Sequence, residues 1–155
     1  MGTQPVSDIF LNDAACNKIN SLKEDTMATQ TKNEVTTEFL DGFANAWCNH
    51  DVEELMSYMS NDPLFQLSAG PDIDGKRFEG WNDVKAGFQM VLDMFPDGQW
   101  IDGSHFIAGD RGVSEWTFTA TGQDGNPIEV RGCDLFAFKD GKISVKNSFR
   151  KTRTT

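Results

Sequence analysis

The sequence predicts an α+β fold in which amphipathic helices come first and a curved, mostly antiparallel sheet follows. Up to about residue 95, apolar residues recur at helical spacing, whereas from about residue 99 hydrophobicity alternates with a period of two. Short links rich in Gly, Asn and Asp separate the later segments, which is typical of antiparallel hairpins. Such a sheet needs one face covered, and three helices are available to cover it.

Three segments have the pattern of amphipathic helices. The first spans about 33–49, and the clearest spans 81–95, where large apolar residues follow a 3, 4, 3 rhythm before a Pro and a Gly. The second helix should begin at Asp51, which is expected to cap it with Glu54 as the reciprocal partner. The segment Asn61-Asp62-Pro63 is expected to end that helix.

Five segments have the pattern of strands. One is a short early segment, Phe65-Gln66-Leu67, and a loop over 69–75 follows it. The other four strand candidates are 99–107, 113–121, 127–139 and 142–151. The turn signals between them, of which Asp140-Gly141 is the clearest, predict an antiparallel meander.

The charge of the chain excludes several classes of partner. Of 155 residues, 14 are Lys or Arg and 24 are Asp or Glu, which gives a formal charge of −10. A surface this acidic repels phosphate backbones and anionic membranes, so we expect neither nucleic acid nor membrane as a partner. The C-terminal basic stretch containing Lys146, Arg150, Lys151 and Arg153 is interpreted as a solvated strand and tail rather than a docking patch.

The cysteines and the N-terminal segment complete the domain-level expectations. Three widely spaced cysteines without a C-x-x-C motif fit a reducing cytoplasm and argue against a disulfide framework or a zinc site. Residues 1–32 are rich in polar residues without a sustained period, which predicts a flexible extension. The folded domain should therefore occupy residues 33–155. The sequence carries no dinucleotide or phosphate-loop motif, so no cofactor is indicated.

Asp134 and His105 are the candidate catalytic residues. Asp134 lies in the apolar strand segment 130–138, where an ionised carboxylate is costly, so a neutral acid that donates a hydrogen bond to an oxyanion is expected. The alternative is that Asp134 faces solvent or binds a helix end. A His near an Asp in a dry pocket could form an acid/base pair. The alternative for His105 is an edge or interface residue.

Three stretches of the chain resemble a known family. They are FANAWCNHDVEELMSYMSNDPLF, FEGWNDVKAGFQMVLDMFPDGQW and GDRGVSEWTFTATGQDGNPIEVRGCDLFAFKDGKI. They resemble the SnoaL-like branch of the NTF2-like superfamily, which includes polyketide cyclases and ketosteroid isomerases, over residues 35–151. The resemblance implies a cone-shaped fold with three N-terminal helices in the concave face of the sheet. It also implies an apolar pocket at the deep end of the cone and a homodimer formed through the convex face.

The resemblance also bears on the candidate site. It places Asp134 where ketosteroid isomerases carry a hydrogen-bonding carboxyl. The position of their proton-shuttling carboxylate is Leu67 here, and the position of their oxyanion-hole tyrosine is Phe43, so steroid isomerisation is not expected. On the neighbouring strand, Glu115, Thr117 and Thr119 would face inward, as would Ser148 on the last strand. The opposite parity, with Trp116 and Phe118 as core, stays open.

The predicted site therefore combines a few polar groups with an aromatic wall. The expected ligand-binding residues are Phe43, Trp47, Phe65, Leu67, Trp81, Phe88, Glu115, Thr117, Phe136 and Ser148. The hypothesis is a small-molecule-binding protein whose partner is a small hydrophobic molecule, with Asp134 serving an isomerase, cyclase or dehydratase acting on a carbonyl compound. The alternatives are a ligand-binding protein without catalysis and a protein-association module.

Overall fold

A computed structural model describes residues 34–154 as three helices and six strands. The helices are α1 (Thr37–Cys48), α2 (Val52–Ser57) and α3 (Trp81–Met94). The strands are β1 (Met59–Gln66), β2 (Arg77–Glu79), β3 (Gln99–Ala108), β4 (Arg111–Thr121), β5 (Pro127–Lys139) and β6 (Lys142–Arg150). The predicted extension over 1–32 lies outside the described residues.

The six strands form one mostly antiparallel sheet. Their order is β2-β1-β6-β5-β4-β3, and only the pairing of β1 with β6 is parallel. The α+β class is confirmed, as is the meander from β3 to β6. The third helix follows an early strand, as predicted, but a second strand, β2, also precedes it.

The helix starts follow the sequence signals. Thr36 caps α1 by accepting a hydrogen bond from Phe39 N at 3.3 Å. Asp51 caps α2 as predicted, with its Oδ1 accepting from Glu54 N at 2.9 Å. The reciprocal half of the predicted capping box is not used, because the Asp51 N–H donates to Ala46 O.

Two expectations about the early strands were wrong. The second helix ends at Ser57 rather than near Pro63, and a strand takes over at Met59 by pairing with Ile143. Pro63 lies inside this strand at a register irregularity, where its missing N–H costs no ladder bond. The short strand β2, which pairs with the end of β1, was not predicted because three alternating residues are too few to establish a strand period.

Turns and bulges shape the sheet. Asp140 and Gly141 both have positive φ, 52° and 73°, as the predicted two-residue hairpin turn requires. Register shifts occur between Ile101 and Ser104 in β3 and between Ala137 and Phe138 in β5. Bulges of this kind bend strands and increase their twist, which curves the sheet around the helices.

The core lies between the three helices and the inner face of the sheet. Its main cluster contains Leu40, Phe43, Ala46, Trp47, Leu55, Met56, Met59, Phe65, Val84, Phe88, Leu92, Phe136 and Ile143. A second cluster of Trp116, Phe118 and Ala120 extends it along β4. Aromatic contacts join the helices to the sheet, such as the edge-on packing of Phe43 against Phe136 with ring centroids 6.0 Å apart.

The side chains of β4 alternate in the sense opposite to the one that the resemblance implied. Trp116 and Phe118 are buried, whereas Glu115 is exposed and Thr117 only half-buried. Glu115 and Thr117 therefore lie on the outer face of the sheet, where strand alternation puts every second side chain. The cause is hydrophobic, because burying the large indole and phenyl groups gains more free energy than burying a hydroxyl and a carboxylate.

The helices over 34–154 are too short or too polar to cross a bilayer.

Candidate functional site

A buried polar cluster surrounds Asp134 on the inner face of the sheet. Asp134 lies on β5, opposite Ser114 on β4 and opposite Ser148 on β6. Residues directly opposite one another in antiparallel strands point to the same face, so the three side chains share the covered side. Asp134 is only 5% exposed, so its carboxyl needs hydrogen-bond donors from the protein.

Three donors converge on the Asp134 carboxyl. Trp116 Nε1 donates to Oδ2 at 2.9 Å. Lys146 Nζ donates to Oδ1 at 2.8 Å, and Ser148 Oγ donates to the same oxygen at 2.6 Å. An ionised carboxylate is an acceptor only, and this arrangement satisfies both of its oxygens. The contacts therefore suit a carboxylate, which corrects the expectation of a neutral acid that donates to a ligand.

Lys146 is the cation that balances this buried charge. Its side chain is 6% exposed, and Nζ also donates to Ser148 Oγ at 2.7 Å. The ammonium lies 5.2 Å from the ring centroid of Trp47 and 5.0 Å from that of Phe65. Two of its three N–H groups are thus used by Asp134 and Ser148, while the aromatic faces stabilise the remaining positive charge.

Local sequence explains how Trp116 reaches Asp134. Trp116 is opposite Gly132 in the β4–β5 ladder. A Cβ on Gly132 would lie 2.3 Å from Cη2 of Trp116, so only a residue without a side chain lets the indole lie over β5. The indole N–H then reaches Asp134, the next inward-facing residue on that strand.

An apolar cavity of about 180 Å³ adjoins the cluster. Aromatic and aliphatic side chains form most of its wall, and Lys146, Ser148 and Arg150 contribute polar groups from β6. Its lining residues are Trp47, Phe65, Leu67, Ser68, Ala69, Val91, Met94, Phe95, Trp100, Trp116, Phe118, Lys146, Ser148 and Arg150. Ser68, Ala69, Met94 and Arg150 are exposed, so they mark the mouth.

Asp134 does not line this cavity, because Lys146, Ser148 and Trp116 stand between its carboxyl and the cavity space. It lines a separate void of about 20 Å³ instead. A void of that volume holds about one water molecule and no organic ligand. The polar atoms that a ligand in the larger cavity meets are therefore those of the donors to Asp134, rather than Asp134 itself.

His105 lies beside the small void rather than the larger cavity. Its Nδ1 is 2.7 Å from Ser114 Oγ, and its Nε2 is 3.0 Å from Asp41 Oδ1 on α1. The imidazole is nearly buried and ties α1 to β3 and β4, whereas Asp41 is largely exposed. The structure thus brings His105 and Asp134 to one void, without a cavity in which a substrate could reach both.

The structure sorts the predicted ligand-binding residues into three groups. Those that line the larger cavity are Trp47, Phe65, Leu67 and Ser148. Those that are core without lining it are Phe43, Phe88 and Phe136, of which Phe43 and Phe136 touch the small void. Those that lie elsewhere are Glu115 and Thr117 on the outer face and Trp81, which is 40% exposed at the start of α3.

Sequence reasoning missed Lys146, Trp116 and Arg150. Lys146 and Arg150 were interpreted as solvated, yet Lys146 has the same parity as Ser148, which was expected inside. The bulge at Ala137 shifts the hairpin register by one residue, so counting back from the Asp140-Gly141 turn would place Asn147 opposite Asp134. The alternation along β6, which puts Lys146 on the same face as Ser148, was the sequence signal that could have identified Lys146.

Cys133 is the thiol next to Asp134 on β5. Cys133 faces Glu115 across the ladder on the outer face. Burial raises the pKa of the Cys133 thiol, and the negative charges of Asp134 and Glu115 raise it further. Among residues 34–154, no group of three or more His, Cys, Asp or Glu side chains is placed to hold a metal ion.

Solved structures with the same fold support this description. One is a proposed polyketide cyclase from Xanthomonas campestris pv. campestris, 18% identical, with a TM-score of 0.63 over 73% of this chain and 87% of that chain. Another is an NTF2-like protein of unknown function from Mesorhizobium loti, 25% identical, with a TM-score of 0.63 over 78% and 94%. A third is a protein with a ketosteroid isomerase-like fold from Catenulispora acidiphila in complex with trimethylamine, 16% identical, with a TM-score of 0.65 over 74% and 86%.

Sequence comparison gives the family. No curated protein matches the chain. The SnoaL-like domain family matches residues 40–145, which include both buried clusters and the first four residues of β6. The chain therefore belongs to the SnoaL-like family of the NTF2-like superfamily.

Proposed function

We propose that this protein binds a small hydrophobic carbonyl compound in the 180 Å³ cavity, with the carbonyl oxygen accepting a hydrogen bond from Lys146. The single observation that carries the proposal is the position of this donor. Lys146 lines a mostly apolar cavity, and Asp134 and Ser148 hold its ammonium in place from behind. Sites of this composition, apolar walls with a few fixed polar groups, are typical of small-molecule binding.

The hydrogen-bond donors left free at the cavity favour a ligand that carries an oxygen. Lys146 has one N–H left after its bonds to Asp134 and Ser148. Trp47 Nε1 is buried without a hydrogen-bond partner among the described residues, and Trp47 lines both the cavity and the small void. Buried donors without acceptors are costly, so an oxygen that enters the site gains from satisfying them.

The cavity volume limits the size of the ligand. A cavity of ~150 Å³ in a protein core holds one benzene ring. At about 180 Å³, this cavity suits a compound with one ring inside and any further groups at the mouth. That is smaller than the pockets of several hundred Å³ that enclose drug-sized ligands.

The residues that line the cavity favour binding a carbonyl compound and polarising its C=O bond over transferring a proton. An ammonium donor aimed at a carbonyl would stabilise an oxyanion as it develops. Among the described residues that line the cavity, however, no carboxylate or imidazole is present to remove a proton. This observation favours the second candidate function, a ligand-binding protein without catalysis. An isomerase, cyclase or dehydratase reaction would require the base to come from the ligand or from water.

The tryptophans provide a direct test by NMR. Of the four tryptophans, Trp47, Trp100 and Trp116 line the cavity, whereas Trp81 is on the surface. Titration with acetophenone should shift the indole N–H signals of the first three and leave that of Trp81 in place. Ethylbenzene, which has the same ring without the oxygen, serves as the matched probe.

Variants at Lys146 test the polar contact. The ratio of acetophenone to ethylbenzene affinity should fall about tenfold in Lys146→Met, since a hydrogen bond from a charged donor is lost. Lys139→Met, which removes an exposed lysine, should leave the ratio unchanged. An unchanged ratio in Lys146→Met, or acetophenone shifts confined to Trp81, would refute the proposal.

We also propose that the outer face of the sheet joins two copies of the chain. Phe106 and Phe149 are 59% and 49% exposed there, and Ile101 is 43% exposed. Leu135 and Val113 lie beside Phe106 in the same cross-strand row. These exposed and half-buried apolar groups lie on four strands, β3 to β6, and favour burial against another apolar surface, which a second copy supplies.

A further inference from the structure

Arg150 continues the row of cavity-facing residues on β6 outward to the mouth. Lys146, Ser148 and Arg150 alternate along the strand and all line the cavity. The Arg150 guanidinium lies 5.5 Å from the ring centroid of Phe118 and 5.9 Å from that of Phe95. These contacts hold the charged group over the aromatic rim while leaving its edge open to an incoming ligand.

The Arg150 charge is not neutralised by a neighbouring carboxylate. Within residues 34–154, none of the ion pairs closer than 4.0 Å involves Arg150. Among the described residues that line the cavity, Lys146 and Arg150 are the cations and no Asp or Glu is present. Because Lys146 is paired with Asp134, the Arg150 charge at the mouth is the one left without a carboxylate, on a chain whose formal charge is −10.

We propose that the natural ligand is an amphipathic anion, with its ring and carbonyl inside the cavity and an anionic oxygen group bound by Arg150 at the mouth. The inference deepens the proposed function and rests on it. Four residues of strand separate Lys146 from Arg150, which places their Cα atoms about 13 Å apart. Because both side chains extend toward the ligand, a molecule about 10 Å long can reach both cations.

The chemistry of the two cations assigns their roles. The Lys146 ammonium is buried and already paired with Asp134, so it suits a neutral oxygen that accepts one hydrogen bond. The Arg150 guanidinium is unpaired among the described residues and presents a planar fork, which suits a carboxylate or a similar oxyanion. A free anion placed inside the cavity would lose more hydration than one placed at the mouth.

The probe pair is 3-(4-acetylphenyl)propanoate and its methyl ester. Both carry the same ring and ketone, and only the acid carries an anionic group at the far end. Indole N–H titration of the wild-type chain at low ionic strength should give the acid about tenfold higher affinity than the ester. In Arg150→Gln, which keeps part of the aliphatic stem, that ratio should fall to about one.

Arg153→Gln is the matched control, because Arg153 belongs to the same basic stretch and does not line the cavity. It should retain the tenfold ratio. Equal binding of acid and ester by the wild-type chain would overturn the inference while leaving the proposed function intact. Equal loss of the ratio in Arg150→Gln and Arg153→Gln would also overturn it, since the preference would then reflect overall charge. Binding of neither probe would overturn both proposals.

Discussion

At the scale of single residues, the site depends on one buried ion pair. Lys146 and Asp134 are 6% and 7% exposed in their side chains, so both charges have lost most of their hydration. Such a pair adds little net stability on its own, because desolvation offsets most of the attraction. Its consequence is positional: Asp134 fixes the ammonium and the Ser148 hydroxyl at the cavity wall.

Breaking the pair should be costly, and removing both charges should be less so. We expect Asp134→Asn to lower the free energy of unfolding by about 3 kcal/mol, because Lys146 would remain buried without its counter-ion. The double variant Asp134→Asn/Lys146→Met should lose less than the sum of the two single variants, by at least about 1 kcal/mol. Urea denaturation at pH 7 measures all three.

The exposed pair of Lys85 and Glu53 is the control for this cycle. Glu53→Gln should change the free energy of unfolding by less than about 1 kcal/mol, since solvent screens surface pairs. Strict additivity in the cycle of Asp134 and Lys146 would mean that the two charges do not interact in solution.

Prediction from sequence succeeded for one member of this pair and failed for the other. A carboxylate among Cys133, Leu135 and Phe136 stands out in an apolar strand, so Asp134 could be found. Lys146 lies among polar residues, and a lysine on a C-terminal strand is usually solvated. The burial of Lys146 depends on Asp134, twelve residues earlier, and on a β-bulge that no local sequence pattern predicts.

At the scale of elements, strand β5 lies close to the Trp116 indole on β4. A Cβ added to Gly132 would lie 2.3 Å from Trp116 Cη2 and 2.5 Å from Phe149 O. We expect Gly132→Ala to cost about 1–3 kcal/mol of unfolding free energy, because the indole must move away from Asp134. The Trp116 indole N–H signal should shift accordingly.

Gly103→Ala is the matched control, since its added Cβ would meet no atom closer than 3.4 Å. It should cost clearly less than Gly132→Ala and leave the Trp116 signal unchanged. If Gly132→Ala had wild-type stability and an unshifted Trp116 signal, the packing of the indole over β5 would be wrong.

Hydrogen bonds to Asp97 join the segment after α3 to strand β4. Asp97 accepts from Thr121 Oγ1 at 2.6 Å and from Thr121 N at 3.0 Å. These hydrogen bonds hold the pKa of Asp97 below its usual value near 3.8, with the bond from the Thr121 side chain contributing most. A carboxylate with a lowered folded-state pKa stabilises the fold above its unfolded-state pKa and loses that contribution as pH falls.

Asp97→Asn should therefore lower the Tm at pH 7, because the charge-assisted bonds to Thr121 are weakened. The difference from wild type should shrink as pH falls below about 4 and the wild-type carboxyl itself takes up a proton. Asp62→Asn, which removes another exposed carboxylate, should show no such trend. A Tm difference that is independent of pH would contradict the assigned role of the charge.

Elements set by local signals could be predicted, and those set by distant pairing could not. The Asp140-Gly141 turn and the Asp51 cap depend on neighbouring residues alone, and both are present. Strand β2 exists because Phe78 pairs with Phe65 and its ring packs against α3 at Gly87. Nothing in three residues indicates that partnership, so the segment was not identified.

At the scale of the whole molecule, the described residues form a sheet that carries large apolar side chains on both faces. The inner face packs against the three helices, whereas the outer face leaves Phe106 and Phe149 open. The class of fold follows from the switch between helical and strand periods. Which face Glu115 and Thr117 occupy could not be predicted, because both faces of β4 carry large or β-branched side chains.

Self-association through the outer face is testable in solution. We expect light scattering after size exclusion to give two chains for the wild type and one chain for Phe106→Ser/Phe149→Ser, because the shared apolar surface would be lost. Ile73→Ser, which removes a fully exposed apolar side chain from a loop, should stay at two chains. A single chain for the wild type would contradict the proposed dimer.

The central claim is that the cavity places a ligand oxygen against Lys146. A crystal structure of the complex with acetophenone tests it most directly. We predict the ring among Trp47, Phe65 and Trp100, with the carbonyl oxygen about 2.7–3.2 Å from Lys146 Nζ. A ring bound with its oxygen toward the mouth, or acetophenone on the outer face of the sheet with the cavity empty, would contradict it.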